Sequence, residues 1–285
     1  MRYEQPRVIH QHWHHSRTSA LLASIACFVH DLPLFFSAVP KTPLRVLCII
    51  AFDTLHTLRN ARPMPRQRAK VLASLLDFGA CTNASLDGKR YCVKAQDEAR
   101  QRLREAGLGP LVDEYVSELQ LLESHRPSPG PGGDDHTCAA VRAYRESVAS
   151  LSLEVIAAAA LDPESKQPVR RSVHDDDGLE ILFRIVMQCQ IIDDVIDYSK
   201  DSAAGLPGFL TASASLAQAL KWAAQAADRY SELRAFARSA ETFPLRLALI
   251  VVSAMTRLIL RICQWHCRNC GGEIATDKHE EFSAV

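Results

Sequence analysis

The chain of 285 residues is 47% hydrophobic and 7% aromatic, and its 33 basic and 33 acidic side chains balance to a formal net charge of zero. This length suits one large helical domain or two small ones, and the charge balance makes no electrostatic case for nucleic acid as a partner. Nine cysteines, an odd number lying mostly inside apolar helical patterns, fit a reducing cytosol and argue against a disulfide framework.

Residues 1–15 are polar and carry His10, His12, His14 and His15, so they read as a peripheral leader and not as a secretory signal. A helical pattern runs from Ser16 to Phe36, punctuated by Pro33, Pro40 and Pro43. The next helix is predicted from Leu44 to Asn60, stopping before Pro63 and Pro65. It holds Asp53, His56, Arg59 and Asn60 in an apolar setting. Asp53, His56 and Asn60 share one face at i, i+3, i+7, which reads as an inward polar cluster, the alternative being a helix-surface Asp. A third helix covers Arg66 to Asn83. Asn83 and Asp87 lie one turn apart, but the following Gly88-Lys89 makes them a cap and turn. Helices are predicted over 95–106 and 111–124, split by Gly107 and Gly109-Pro110.

Residues 126–137 form a Pro- and Gly-rich flexible loop between segments of similar pattern. An Ala-rich helix follows from Ala139 to Leu161 and opens with Tyr144 and Arg145. A polar loop over 162–177 leads to an Asp-rich helix from Gly178, ended by Gly205-Leu206-Pro207-Gly208. Two more helices span 213–241 and 244–268. The most apolar run, Leu247 to Met255, lies between Arg246 and Arg257 and is shorter than the roughly 20 residues of a membrane span. The expected location is therefore cytoplasmic, with peripheral membrane contact left open. Cys263, His266, Cys267 and Cys270 have zinc-like spacing but no matching partner pair nearby. No segment alternates as a strand does. The reading is all-α: one helical bundle over 16–268 with a tail at 269–285.

The segment from Met187 to Asp201 is the most informative. It sets four carboxylates among Ile191, Ile192, Val195 and Ile196. Asp193, Asp197 and Asp201 share a helix face at i, i+4, i+8, with Gln190, Asp194 and Asp197 on the adjoining stripe. Like charges at this spacing destabilise a helix. A solvated acidic face would normally interleave basic residues, and here only Lys200 is present. Oxygen donors of this kind suit a hard divalent cation, best Mg²⁺ with a diphosphate. Arg145, with Arg59 and Arg17, offers fork-shaped donors for such a diphosphate.

Three stretches resemble, in order, motifs of the squalene/phytoene synthase branch of the class I isoprenoid synthases. They are Ala51-Phe52-Asp53-Thr54-Leu55, Tyr144-Arg145-Glu146-Ser147-Val148-Ala149, and Gln188 through Asp197. Gly205-Leu206-Pro207 sits where that family places a Leu-Pro or Trp-Pro, and Ser16-Arg17-Thr18 is similar to its N-terminal S-R-S. The third stretch is equally similar to the second motif of the trans-prenyl diphosphate synthases, which share the fold. The resemblance implies a helical bundle around an apolar cavity, with Mg²⁺ as cofactor and a prenyl diphosphate as substrate. It assigns Asp53 to a first metal site and Asp193, Asp194 and Asp197 to a second. Tyr144 would face the cavity, and Gln190 with Arg17, Arg59 and Arg145 would bind substrate. Catalysis would rest on Asp53, Asp194 and Tyr144. The first motif departs from the family after Leu55, where His56 and Thr57 replace acidic residues, and Asp193 stands at a position where an Arg is common. The expected function is a Mg²⁺-dependent synthase that ionises a prenyl diphosphate, followed by coupling or by cyclisation. The alternative is a pseudoenzyme of this family that binds a lipid or a protein.

Overall fold

The computed structural model describes residues 43–60, 62–128, 135–161, 170–213, 215–232 and 242–270, together with positions 22, 25, 26 and 29. The predicted leader 1–15, Arg17 and most of the predicted helix over 16–36 lie outside the described residues. Every regular element among those described is helical. In chain order they are α1 (Pro43–Asn60), α2 (Arg66–Leu86), α3 (Val93–Glu105), α4 (Gly109–Ser124), α5 (Asp135–Leu161), a 3₁₀ turn (Val173–Asp175), α6 (Asp177–Ile196), α7 (Tyr198–Ala204), α8 (Leu216–Ser231) and α9 (Phe243–Cys270).

Three boundaries differ from the sequence expectation. The helix expected over 213–241 ends at Ser231, where Glu232 turns extended with φ −74° and ψ 127°. α5 begins at Asp135, so the flexible loop expected over 126–137 gives up its last residues to a helix. The Asp-rich helix is not continuous: Asp197 has φ −98° and ψ 9°, and the chain restarts there as α7. Asp201 therefore belongs to a second short helix, and the single acidic face through Asp193, Asp197 and Asp201 is interrupted.

Apolar periodicity explains how the helices pack. α6 buries Leu179, Ile181, Leu182, Phe183, Met187 and Ile191, residues on nearly every side of the helix, and so lies centrally. α1, α5 and α8 run antiparallel to it, whereas α9, antiparallel to α8, runs parallel to it. Arg145 of α5 meets Asp194 near the end of α6, whereas Arg59 of α1 meets Asp176 just before its start. Gln188, wholly buried, donates to the Ala227 carbonyl of α8 at 2.7 Å and to Ser253 Oγ of α9 at 3.1 Å. The bundle thus has two ends. One collects the ends of α1 and α5 and the starts of α2 and α6; the other collects the ends of α2, α4 and α6 and the first half of α5.

The start of α6 is tightly specified. Asp176 accepts from the Gly178 and Leu179 amides, each at 3.0 Å, and Arg59 donates to both of its carboxylate oxygens at 2.5 and 2.8 Å. Gly178 keeps this approach close: a Cβ there would lie 2.7 Å from Leu55 Cδ1 and would force that side chain to shift.

α9 also departs from expectation. Phe243–Asn269 is a continuous helix, by length and composition able to cross a membrane. The arginines bracketing Leu247–Met255 do not interrupt it. Its inner residues Leu245, Leu249, Ser253, Thr256 and Leu260 are nonetheless buried in the bundle.

Asp176→Ala removes the cap of α6 and the partner of Arg59 together, and should cost about 1–2 kcal/mol in urea unfolding.

Candidate functional site

The chemistry-bearing residues divide between the two ends. At the Arg59 end, Asp53 is fully buried and accepts from the Met64 amide at 2.6 Å, with Thr57 Oγ1 at 3.4 Å. Its carboxylate ties down the turn between α1 and α2. His56, also fully buried, places Nδ1 3.2 Å from the Arg62 carbonyl, and Asn60 donates to the His56 carbonyl. Burial holds the His56 pKa below its ordinary value, so the ring is neutral. Asp53 and Arg59 therefore do not stand where a first metal site and a diphosphate donor were expected. α1 is antiparallel to α6, with Arg59 level with Asp176 and Gly178. Asp53 is then level with about residue 184, roughly 15 Å along the axis from Asp194 at 1.5 Å per residue.

At the other end the structure brings together Asp193, Asp194, Asp197, Tyr144 and Arg145. Asp194, 3% exposed, is held on both oxygens. Arg145 Nη2 donates to Oδ1 at 2.7 Å, and the Phe209 amide donates to Oδ2 at 2.5 Å. The chain after α7 closes over this carboxylate. A Cβ on Gly208 would lie 2.7 Å from Asp194 Oδ2, so only glycine permits the approach. Burial pushes the Asp194 pKa up to about 6, against the pull of Arg145 and the Phe209 amide. Asp194 is thus a fixed internal anchor, not an open ligand.

Asp193 is exposed, and its carboxylate accepts no hydrogen bond from the described residues. Partial burial of its carboxyl, then the negative charge of Asp197, raises its pKa; Arg145 and Lys89 oppose that shift. Asp197 accepts from Lys200 at 2.5 Å. Tyr144 donates to Glu123, and burial with this carboxylate raises the phenol pKa. Glu123 also meets Arg126 at 3.3 Å, and Arg126 reaches Asp87 at 3.5 Å. Asp87 in turn pairs with Lys89 at 3.0 Å.

Directly beneath this polar rim lies a cavity of about 300 Å³. Leu75, Leu76 and Tyr115 line it, with Val148 and Val155 of α5 and Val186 of α6. Its polar wall includes Gln190, whose buried Oε1 has no partner, and Asn83. The register joins cavity to rim. Asp193 and Asp194 lie one turn beyond Gln190, Asp87 lies one turn beyond Asn83, and Arg145 lies one turn before Val148 and Ala149. A second cavity of about 180 Å³, between Arg59, Asn60, Arg171 and Asp176, sits at the opposite end.

Asn83, Asp87, Lys89, Glu123 and Arg126 are rim residues that sequence reasoning did not select. The Asn83–Asp87 spacing of one turn was visible, but Asp87 also caps α2 and exits into Gly88 at φ 66°, which is the signature of an ordinary helix end. Nothing local marks Glu123 or Arg126. Cys263 and Cys267, of the zinc-like set, pack against the core along one uninterrupted helix.

Among the described residues, no three His, Cys, Asp or Glu side chains converge closely enough to hold a metal ion. The accessible donors at the rim, exposed Asp193 and half-buried Asp197, are carboxylates, the donor type of a hard cation. They suit an ion that takes most of its remaining ligands from water or a phosphate. Comparison of the chain with protein-family models, with curated proteins and with solved structures finds no match.

Asp53→Ala leaves the buried Met64 amide without its acceptor. A loss of about 1–3 kcal/mol in urea unfolding is expected. A second prediction concerns pH. Because the folded-state pKa of Asp194 is raised, the folded protein holds this proton more tightly than the unfolded chain does. Its contribution to stability is full below about pH 4 and is lost as pH rises through about 6. The stability of the parent relative to Asp194→Asn should therefore decline across that window; a flat difference between the two pH–stability curves would contradict the assignment.

Proposed function

We propose that the protein binds a prenyl diphosphate, with the diphosphate at the rim and the isoprenoid chain in the cavity below, and that it ionises this substrate as a class I isoprenoid synthase does. The observation that carries the reading is the stacking of an apolar cavity directly under a rim of mixed acidic and basic groups, with the Arg145–Asp194 pair between them. The sequence resemblance to the squalene/phytoene synthase branch supports the same reading.

Residue roles follow from position. Arg145 is 23% exposed, gives Nη2 to Asp194, and keeps a buried Nε without a partner. Asp194 fixes the plane of its guanidinium, which presents fork-shaped donors to diphosphate oxygens. Lys89 and Arg126 add positive charge on the facing side of the rim. Asp193 and Asp197 would hold Mg²⁺, which supplies neutralisation of the leaving diphosphate. One or two carboxylates plus substrate phosphates and water are the usual complement for that ion. Departure of the diphosphate takes the C–O electron pair with it, and donors already aimed at those oxygens favour the step. Val148, Val155, Val186 and Leu76 keep water from the allylic cation, and the unpartnered Gln190 oxygen is one polar atom of the wall that could face it. A cavity of about 300 Å³ is at the small end for ligand sites. It favours one isoprenoid chain, and hence cyclisation or simple ionisation, over coupling of two.

A second reading has an observation of its own. Arg145 and Asp194 already satisfy each other, and the described carboxylates form no three-membered metal group. A protein that binds a prenyl lipid without turning it over would look the same.

Diphosphate release from farnesyl and geranylgeranyl diphosphates, measured with and without Mg²⁺, separates the two. The enzyme reading expects Mg²⁺-dependent release, a loss of about 100-fold in Arg145→Ala, a comparable loss in Asp193→Asn, and near-parental rates in Asp53→Ala. Saturable binding of the same diphosphates without any release would establish the lipid-binding reading.

A further inference from the structure

The outer face of α9 carries an apolar stripe opposite the face that packs into the bundle. Val251, Met255, Leu258, Ile262 and Trp265 recur every three or four residues and are 50%, 51%, 59%, 56% and 63% exposed. Monomeric proteins seldom leave a continuous stripe of this size in water. Arg261 and Arg268 stand three residues beyond Leu258 and Trp265 and border the stripe, both exposed. Over its 28 residues α9 contains four arginines and neither Asp nor Glu.

We propose that α9 is an interfacial membrane-docking helix. Its outer face enters the headgroup–acyl boundary of a membrane containing anionic lipid, and Arg261 and Arg268 contact the headgroups. Charge selects this occupant. An apolar stripe flanked by arginines and ending in a tryptophan is complementary to an anionic lipid surface. In a second copy of the same helix the arginines would meet arginines, with no carboxylate on either helix to pair with them. Crossing the membrane is disfavoured, despite the apolar length of the helix. Leu249, Thr256 and Leu260 are buried on its inner side, and Ser253 takes the hydrogen bond of the buried Gln188. Withdrawal of α9 from the bundle would break the Gln188–Ser253 bond, leaving Gln188 only its bond to the Ala227 carbonyl, and would unpack these inner residues. The helix therefore lies in the membrane plane with its inner face still packed on α6 and α8. This inference is independent of the chemistry at the rim.

The test is flotation of the full chain with phosphatidylcholine vesicles and with vesicles of equal parts phosphatidylcholine and phosphatidylglycerol. Tryptophan emission and light scattering are recorded in parallel. The parent should float with the anionic vesicles, with a blue-shifted emission that Trp265→Phe diminishes. Leu258→Glu with Ile262→Glu alters only exposed positions and should leave circular dichroism unchanged while reducing partitioning at least about tenfold. Arg261→Gln and Arg268→Gln should each weaken it about fivefold. Absence of flotation, equal flotation with neutral vesicles, or flotation unaffected by the paired Glu substitutions would overturn the proposal. So would a dimer that those substitutions split in a chain that binds no vesicle.

Discussion

The contact on which the candidate site depends is the ion pair between Arg145 and Asp194, closed from above by the Gly208–Phe209 backbone. It joins three parts of the chain far apart in sequence: the first half of α5, the end of α6, and the segment that follows α7. A carboxylate this deeply buried is costly unless both oxygens are satisfied. Here a guanidinium takes one and a backbone amide the other. The consequence is geometric. With Asp194 turned inward, Asp193 is directed outward to the rim, and Arg145 is held at the cavity mouth instead of being free to swing into solvent. The glycine at 208 is part of the same device, because any side chain there would push the carboxylate off its donors.

Antiparallel packing distributes the polar residues into two populations with different work. At the Arg59 end the buried groups serve the backbone: Asp53 answers Met64, His56 answers Arg62, and Asp176 caps α6 while pairing with Arg59. Each of these interactions closes a connection between helices. At the Asp194 end several groups lie above an apolar cavity and remain accessible, among them Asp193, Asp197 and Lys89. What marks one end as a candidate site is the hollow beneath it and the unsatisfied Gln190 oxygen on its wall.

Part of this arrangement was legible before any coordinates. The helices of the bundle announce themselves through apolar spacing, and Pro63, Pro65, Gly107 and Gly205 mark where they stop. The acidic run at 193–201 is also conspicuous, since carboxylates between isoleucines call for a partner. Other features were ambiguous for physical reasons. A carboxylate in an apolar helix signals a buried acceptor, but nothing local distinguishes an acceptor for metal from one for a backbone amide eleven residues on, and Asp53 is the second kind. Asp87 shows the converse, because a residue that ends a helix can also stand at a site, and only the capping role leaves a local pattern. The break at Asp197 falls in a run free of Gly and Pro, so it was invisible to propensity.

The sequence by itself determined the all-helical class and the order of most helices, because periodicity of apolar residues is local information along one chain. It also singled out Asp193, Asp194, Asp197 and Arg145 by residue type and spacing. Tertiary structure decided which end of the bundle each polar group occupies, which carboxylate is anchored and which is exposed, and which face of α9 is left in water. Those outcomes depend on the direction in which neighbouring helices run and on which backbone donors they bring within about 3 Å, and neither quantity is encoded in the spacing of residues within a single helix.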